Sequence, residues 1–170
     1  FRNDCCIVFF HGGSWNDGDP SQFHPHCHYL ALRGMLALSA EYRLKNIHGT
    51  TPYECVTDGK SAMRWIRKNA VGLQLDPRRI AASSGSAGGQ MAAAAATVLE
   101  FEPDGEEYSI SSKPDALVLF NPVLDNGPGG AGHDRVKERW REFSPMHNIA
   151  AGVPPAIVFL GSEDTLIPVS

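Results

Sequence analysis

The feature that most constrains the fold is a strand, a tight turn and a helix in immediate succession over residues 79–99. Arg79-Ile80-Ala81-Ala82 predicts a short buried strand, and the alanine-rich run from Gln90 to Leu99 predicts a helix, because alanine has the highest helix propensity. The turn between them, Ser83-Ser84-Gly85-Ser86-Ala87-Gly88-Gly89, contains only small residues. Small residues are required where a chain turns sharply and a helix lies close to a strand.

Ser86 is the candidate nucleophile of this turn. It is flanked by small residues in the pattern Ser84-Gly85-Ser86-Ala87-Gly88, and it precedes a helix whose N-terminus favours developing negative charge. Two other interpretations stay open at this point. The stretch is also typical of an ordinary glycine- and serine-rich turn, and a phosphate-binding loop is less favoured because no lysine follows the glycines.

A second candidate loop follows the first predicted strand. The continuous apolar run from Cys5 to Phe10 indicates a strand covered on both faces, and it leads into His11-Gly12-Gly13-Ser14-Trp15. Two glycines let the backbone turn and present N–H groups to a ligand. Together with the N–H group of Ala87, they would form an oxyanion hole. The alternative is a plain Gly-Gly turn, but the presence of a serine turn elsewhere favours the site.

Alternating strands and helices predict an α/β fold, a three-layer sandwich with a mainly parallel central sheet of about five strands. Besides the elements already described, the patterns indicate a strand over 35–42, buried strands over 116–120 and 156–160, and helices over 20–33 and 51–70. The loops at 11–14, 84–88 and 161–164 all follow strands. Because parallel strands end at the same edge of a sheet, these loops are expected to meet there.

Three further expectations concern regions outside these loops. The helix over 51–70 has an apolar stripe on one side. Its charged residues are expected to form a solvated face: Asp58, Lys60, Arg64 and Arg67. The glycine-rich stretch 126–132 lacks packing side chains and is expected to be mobile. Residues 133–143 are expected to form one packed surface helix, with a lid over the site as the less favoured alternative.

Composition excludes several classes of partner. A length of 170 residues fits one domain, a net charge of −4 does not favour nucleic acid, and no apolar run is long enough to span a membrane. The four cysteines show no zinc-binding spacing. His24 and His28 lie four residues apart and a shared metal is conceivable, but a polar helix start is the simpler interpretation, so no metal is expected.

The chain resembles α/β-hydrolases of the esterase/lipase group that includes hormone-sensitive-lipase-like and acetyl-esterase-like enzymes. The resemblance rests on five segments that occur in the family's order: His11-Gly12-Gly13-Ser14-Trp15, Tyr42-Arg43-Leu44, Asp76-Pro77-Arg78-Arg79-Ile80, Gly85-Ser86-Ala87-Gly88-Gly89 and Gly161-Ser162-Glu163-Asp164-Thr165-Leu166-Ile167-Pro168. It implies that Ser86 is the nucleophile, that Asp164 is the triad acid, and that the N–H groups of Gly12, Gly13 and Ala87 form the oxyanion hole. His11 and Gly88 support the motifs.

The same resemblance implies hydrolysis of small-molecule carboxylic esters, often with short acyl groups, without a metal or organic cofactor. Two positions depart from the family pattern: Ser84 replaces the first glycine of the serine turn, and Ser14 stands where a related motif has a third glycine. The family's triad histidine follows the acid by a few tens of residues, so it is expected beyond Ser170, and residues 1–170 are expected to be part of a larger hydrolase domain. A non-catalytic, ligand-binding domain of the same fold is the alternative.

A partial hydrolase domain would expose the edges of its sheet. If the family's strand order holds, the strands at 35–42 and 156–160 are the edges of the sheet and present unpaired backbone groups. Self-association of the chain through these edges is therefore expected.

Overall fold

The computed structural model describes residues 3–167, which form a five-stranded sheet with helices on both faces. The strands are β1 (Cys6–Phe10), β2 (Leu36–Ala40), β3 (Ile80–Gly85), β4 (Ala116–Pro122) and β5 (Ala156–Phe159). The helices are α1 (His24–Ala31), α2 (Lys45–His48), α3 (Pro52–Lys68), α4 (Ser86–Thr97), α5 (His133–Val136) and α6 (Trp140–Phe143), with 3-10 turns at Pro20–Phe23, Lys137–Arg139 and Pro145–Asn148.

The sheet has the order β2-β1-β3-β4-β5, and every neighbouring pair is parallel. The α/β prediction is therefore confirmed. Strand β1 lies between β2 and β3, with Cys6 opposite both Leu36 and Ile80, and all of its residues are buried. Its continuous apolar sequence is explained by this position, because a central strand is covered on both faces. The carboxyl ends of all five strands lie at one edge of the sheet.

Two separate apolar clusters cover the two faces of the sheet. Alternate side chains of β1 point to opposite faces. Cys6, Val8 and Phe10 join the larger cluster with α3 and α4, whereas Ile7 and Phe9 pack with Phe23 at the start of α1. Within residues 3–167, no helix is long and apolar enough to cross a membrane.

Helices α3 and α4 are built in different ways. Helix α3 begins at a capping box, in which the Tyr53 N–H donates to Thr51 Oγ1 and the Thr51 N–H donates to Glu54. Its predicted apolar stripe is buried, as Val56, Met63 and Ile66 illustrate. Helix α4 is buried around its whole circumference from Ala87 to Ala96. Because these side chains are mostly alanine and glycine, α4 is thin enough to lie close to the sheet.

The prediction that Lys60 and Arg64 belong to a solvated face of α3 is wrong. Their side chains are 1% and 6% exposed, and both bind Glu102, Lys60 at 2.8 Å and Arg64 at 2.7 Å. Arg64 also binds Glu106 at 2.7 Å. The acidic loop that follows α4 therefore lies over α3, and its carboxylates compensate the two buried cations.

We expect Glu102→Gln to lower the free energy of unfolding by about 2 kcal/mol, because it leaves the buried Lys60 ammonium without its carboxylate. This value is below that for a fully buried pair, since Glu102 is 34% exposed and solvent screens it. The matched control is Glu107→Gln, whose partner Lys68 is 3.4 Å away in a largely exposed pair, with an expected change below about 0.5 kcal/mol. Denaturant unfolding at neutral pH measures both; equal losses would contradict the burial argument.

The pKa shifts of this pair give the pH dependence. Burial raises the pKa of Glu102, but hydrogen bonds from Lys60 and Arg64 outweigh it and the net pKa is lowered. Burial also lowers the pKa of Lys60, so its ammonium depends on the carboxylate beside it. Because the folded pKa of Glu102 is depressed, its contribution to stability is present above the ordinary carboxyl range. That contribution is lost as the pH falls through the folded pKa.

Residues 126–143 differ from the sequence expectation. Asn126 is fully buried, and its N–H donates to Ser144 Oγ at 3.0 Å while its Nδ2 donates to the Ala131 carbonyl at 2.8 Å. The beginning of the stretch 126–132 therefore does pack, through polar contacts that a count of apolar residues misses, whereas Pro128 and Gly129 are exposed. Mobility of this stretch stays a prediction. The predicted single helix over 133–143 is two short helices, because Lys137, with a φ of 41°, interrupts it.

Strand β5 is exposed, contrary to the prediction that it is buried. It pairs with β4 on one side within the described residues, and Ile157 and Phe159 are about half exposed. The prediction that β2 and β5 are the edge strands agrees with the order of the sheet. Self-association through these edges stays a prediction, which sedimentation across a wide concentration range tests; a monomer at every concentration would contradict it.

Candidate active site

Ser86 lies at the junction of β3 and α4. Strand β3 ends at Gly85, α4 begins at Ser86, and the Ser86 backbone has a φ of 54°. A positive φ at a non-glycine residue costs about 1–3 kcal/mol and persists only where surrounding packing enforces it. The strained turn holds a half-buried serine at the start of a helix, as the sequence predicted for this position.

Close packing around Gly88 explains the tight turn. A Cβ atom at Gly88 would collide with the carbonyl oxygens of Phe10 and His11 and with the Ser84 hydroxyl. The Ser84 hydroxyl donates a hydrogen bond to the Phe10 carbonyl. Ser84 is therefore more than a tolerated substitute for glycine, because it joins the end of β3 to the end of β1.

The loop after β1 lies directly beside Ser86. A Cβ atom at Gly12 would lie 3.5 Å from the Cβ atom of Ser86. Gly13 has a φ of 121°, and its carbonyl accepts hydrogen bonds from the N–H groups of Asn16 and Asp17 at 3.0 and 3.1 Å. A side chain at Gly13 would collide with the Asp17 carbonyl, so only glycine fits this turn.

The three N–H groups predicted for an oxyanion hole differ in their partners. The Gly12 N–H donates to Gln22 Oε1 at 2.6 Å. Among residues 3–167, the Gly13 N–H has no protein acceptor. The Ala87 N–H belongs to the first turn of α4, where backbone donors have no acceptor within the helix. Two of the donors are therefore open, and Gln22 must move before the Gly12 N–H can bind a ligand.

His11 packs against the loop after β1 and helps to fix its conformation. It is fully buried, its ring stacks on Tyr42 with centroids 4.2 Å apart, and its Nδ1 lies 2.8 Å from the Gly12 carbonyl. The Tyr42 hydroxyl donates to the His11 carbonyl at 2.7 Å. Burial raises the pKa of Tyr42, so its hydroxyl keeps the proton that it donates.

Asp164 lies in the loop that follows β5. Its Oδ1 accepts hydrogen bonds from the N–H groups of Leu166 and Ile167 at 2.8 and 2.9 Å, and its Oδ2 accepts one from Asn121 Nδ2 at 2.5 Å. The bonds from Ile167 and Leu166, followed by the one from Asn121, lower the pKa of Asp164. The carboxylate is therefore held in its charged form. Pro168, the last residue of the predicted motif, lies outside the described residues.

The loops after β1, β3 and β5 all lie at the carboxyl edge of the sheet, where the sequence predicted them. The end of β4 connects two of them. Ser86 forms a parallel bridge with Pro122, and the Val123 N–H donates to the Ser86 carbonyl at 3.2 Å, while the neighbouring Asn121 reaches Asp164.

His133 and His147, the two histidines between β4 and β5, have partners other than Ser86. His133 Nδ1 lies 2.9 Å from the Asn126 carbonyl, and His147 Nδ1 lies 3.0 Å from Ser144 Oγ. Within residues 3–167, no histidine is hydrogen bonded to the Ser86 hydroxyl, and no group of three or more His, Cys, Asp or Glu side chains is arranged to hold a metal ion.

Sequence reasoning missed Gln22 and Asn121. Both are amides that contact predicted site residues across long sequence separations. For Asn121 a signal was available, since Asn121-Pro122 directly follows a predicted strand at the edge where the other loops meet. Gln22 lies in a polar helix start and carries no comparable signal.

The chain matches a family model and several known proteins. Residues 2–127 match the BD-FAE family. Carboxylesterase NlhH of Mycobacterium tuberculosis is 36% identical over 94% of this chain, which covers 56% of that protein. The probable carboxylic ester hydrolase LipM of the same organism is 28% identical over 93% of this chain and 41% of its own length. The chain thus spans about half the length of these curated relatives.

Solved structures agree with this match. Esterase 2 of Thermogutta terrifontis, in a structure phosphoramylated by tabun, superposes with a TM-score of 0.93 and 44% identity over 98% of this chain and 63% of that one. Its propionate-bound structure gives a TM-score of 0.91 with 42% identity over 98% of this chain and 64% of that one. With the five-stranded parallel sheet and the serine turn, these matches establish that the chain belongs to the BD-FAE family, within the esterase/lipase group of α/β-hydrolases.

Proposed function

We propose that the protein is a serine carboxylesterase that hydrolyses small carboxylic esters through an acyl-enzyme on Ser86. The observation that carries the proposal is the strained Ser86 turn, which faces a glycine loop whose Gly13 N–H group has no acceptor among residues 3–167. Strained backbone of this kind is concentrated at functional sites, and a nucleophile gains exposure and alignment from it.

In the first step of the proposed reaction, Ser86 Oγ attacks the ester carbonyl carbon while an imidazole takes the hydroxyl proton. That imidazole is the triad histidine that the family resemblance implies, oriented by Asp164. Negative charge then develops on the former carbonyl oxygen, within reach of the Gly13 and Ala87 N–H groups. The alcohol leaves with the proton, and the acyl group remains on Ser86.

In the second step, water attacks the acyl-enzyme. The imidazole takes a proton from the water, the bond between the acyl carbon and Ser86 Oγ breaks, and the proton returns to Ser86 as the carboxylic acid leaves. This sequence needs only the nucleophile, the N–H donors, the base and the acid, so the proposed reaction requires no cofactor.

We further propose a preference for short acyl groups. Support comes from the Thermogutta terrifontis relative, which is described in propionate-bound and butyrate-bound structures. The preference belongs to the complete gene product, since the relatives that suggest it are longer than this chain.

The test is hydrolysis of a series of p-nitrophenyl esters, from acetate to octanoate, by the complete gene product. We expect kcat/KM to be greatest for acetate to butyrate and to fall by at least about tenfold at octanoate. Rapid mixing should release a burst of about one p-nitrophenol per active site if deacylation limits the rate. A folded protein that does not accelerate acetate hydrolysis would overturn the proposal, and a preference for octanoate would overturn only its acyl-chain part.

A further inference from the structure

Asn121 lies at the end of β4 and connects this strand to the loop after β5, which contains the proposed acid. Its Nδ2 donates to Asp164 Oδ2 at 2.5 Å, and its Oδ1 accepts a hydrogen bond from the Gly161 N–H at 3.1 Å. One amide therefore fixes both the beginning of the loop after β5 and the carboxylate within that loop. Beside it, the rings of Phe120 and Phe159 stack with centroids 5.2 Å apart, so β4 and β5 are also held together at this level.

The same strand end fixes the nucleophile. Pro122 forms the bridge with Ser86, and the Val123 N–H donates to the Ser86 carbonyl. The proposed nucleophile and the proposed acid are thus attached to consecutive residues of one strand end. Their separation depends on the backbone at residues 121–123 and on the Asn121 side chain.

The chemistry of the site selects asparagine at this position. The residue must donate to a carboxylate and accept from an N–H group at the same time, and an amide does both. It must also adopt a φ of 42°, which asparagine tolerates better than most residues. Aspartate would place a second negative charge against Asp164, and an aliphatic side chain would leave Asp164 Oδ2 without its donor.

We propose that Asn121 is a positioning residue for the Asp164 carboxylate in the ester hydrolysis proposed above, on which this inference rests. The two backbone N–H groups hold Oδ1, and Asn121 holds Oδ2, so the carboxylate cannot rotate about its terminal bond. Oδ1 accepts two hydrogen bonds, whereas Oδ2 accepts one and retains capacity for a further one, which the imidazole can fill. The fixed carboxylate then orients the imidazole that activates Ser86, and Asn121 acts through Asp164 without touching the substrate.

The test compares Asn121→Gly and Asn121→Asp in the complete gene product. Glycine removes the amide and accepts the positive φ, whereas aspartate keeps the size and removes the donor. With p-nitrophenyl acetate we expect both variants to lose roughly 10- to 100-fold in kcat while KM changes less than about twofold. In Asn121→Asp, the acid limb of the pH profile of kcat/KM should also move to higher pH, because added negative charge stabilises the imidazolium form of the base.

The matched control is Asn148→Asp. Asn148 is also half-buried, and its amide donates to the Arg141 and Ser144 carbonyls and, within residues 3–167, not to Asp164. This variant should keep kcat and the pH profile even if its melting temperature falls. Asn121 variants that keep kcat within twofold and leave the acid limb in place would overturn the proposal.

Thermal unfolding of the variants and the esterase activity of the wild type show whether a loss of kcat reflects misfolding, failure of the proposed function or the role of Asn121. Thermal unfolding is recorded for each variant, and if Asn121→Gly does not unfold cooperatively, Asn121→Ser replaces it, with the same expected loss of kcat. Its hydroxyl can retain the donor or the acceptor role, but its shorter side chain cannot bridge both partners. A wild-type protein without esterase activity would refute the proposed function itself. An active wild type with unaffected Asn121 variants would refute only the role of Asn121.

Discussion

Replacing Ser86 with alanine is expected to lower kcat for ester hydrolysis by about 10⁴- to 10⁶-fold in the complete gene product, the range seen when a nucleophile is removed from a serine triad. The loss follows because no acyl-enzyme can form without the hydroxyl. Alanine retains the Cβ atom, so the strained turn is kept and the change concerns chemistry more than folding. Hydrolysis of p-nitrophenyl acetate and labelling by a fluorophosphonate probe measure the effect.

The control for this prediction is Ser109→Ala, which removes a hydroxyl from the exposed loop between α4 and β4. This variant should be labelled by the fluorophosphonate probe and should hydrolyse p-nitrophenyl acetate like the wild type. Labelling that persists in Ser86→Ala would assign the nucleophile to another residue and would invalidate the proposed mechanism.

Asp164→Asn is expected to lower kcat by about 10⁴-fold, as in other triads where the acid is replaced by its amide. The amide oxygen can still accept the hydrogen bonds from Leu166 and Ile167, so the loop is preserved while the charge is lost. Without the charge, the imidazole is no longer held in its productive tautomer, and the imidazolium formed during attack is not stabilised. Steady-state kinetics over a range of pH measure the change.

The lowered pKa of Asp164 also predicts how kcat/KM depends on pH. Hydrogen bonds from Ile167 and Leu166 and from Asn121 lower that pKa, so the wild-type carboxylate stays charged well below neutral pH. The acid limb of kcat/KM is therefore expected to report the imidazole and not Asp164. Asp134→Asn, at an exposed position of α5, is the control and should leave the profile unchanged. Full activity of Asp164→Asn would remove Asp164 from the mechanism.

The parts of the fold that the sequence predicted well are those encoded locally. The strand-turn-helix around Ser86 follows from small residues between an apolar run and an alanine-rich run, and the buried β1 follows from its continuous apolar sequence. The edge positions of β2 and β5 followed from the family resemblance instead. All three candidate loops were placed at one sheet edge by the parallel topology alone.

The errors concern partners that lie far away in sequence. Lys60 and Arg64 have the spacing of a solvated face, and only the folded chain brings Glu102, about forty residues later, over them. Gln22 was missed for the same reason, because its contact with the Gly12 N–H is seen only in the folded chain. The position of Asn121 at a strand end was a signal, but its two partners in the loop after β5 lie about forty residues later. The exposure of β5 depends on what packs against it, which an apolar run by itself does not specify.

Helix α4 carries Ser86 and is enclosed on all sides from Ala87 to Ala96. Adding even a few methylene groups to such a helix typically costs 1–3 kcal/mol and shifts the backbone. Any such shift would move Ser86, the proposed nucleophile, which is the first residue of α4. A larger side chain that the core tolerates is therefore still expected to lower the proposed activity. New substrate preferences in this protein are therefore expected to arise by substitution in the surrounding loops, while the helix stays small and nearly invariant in volume.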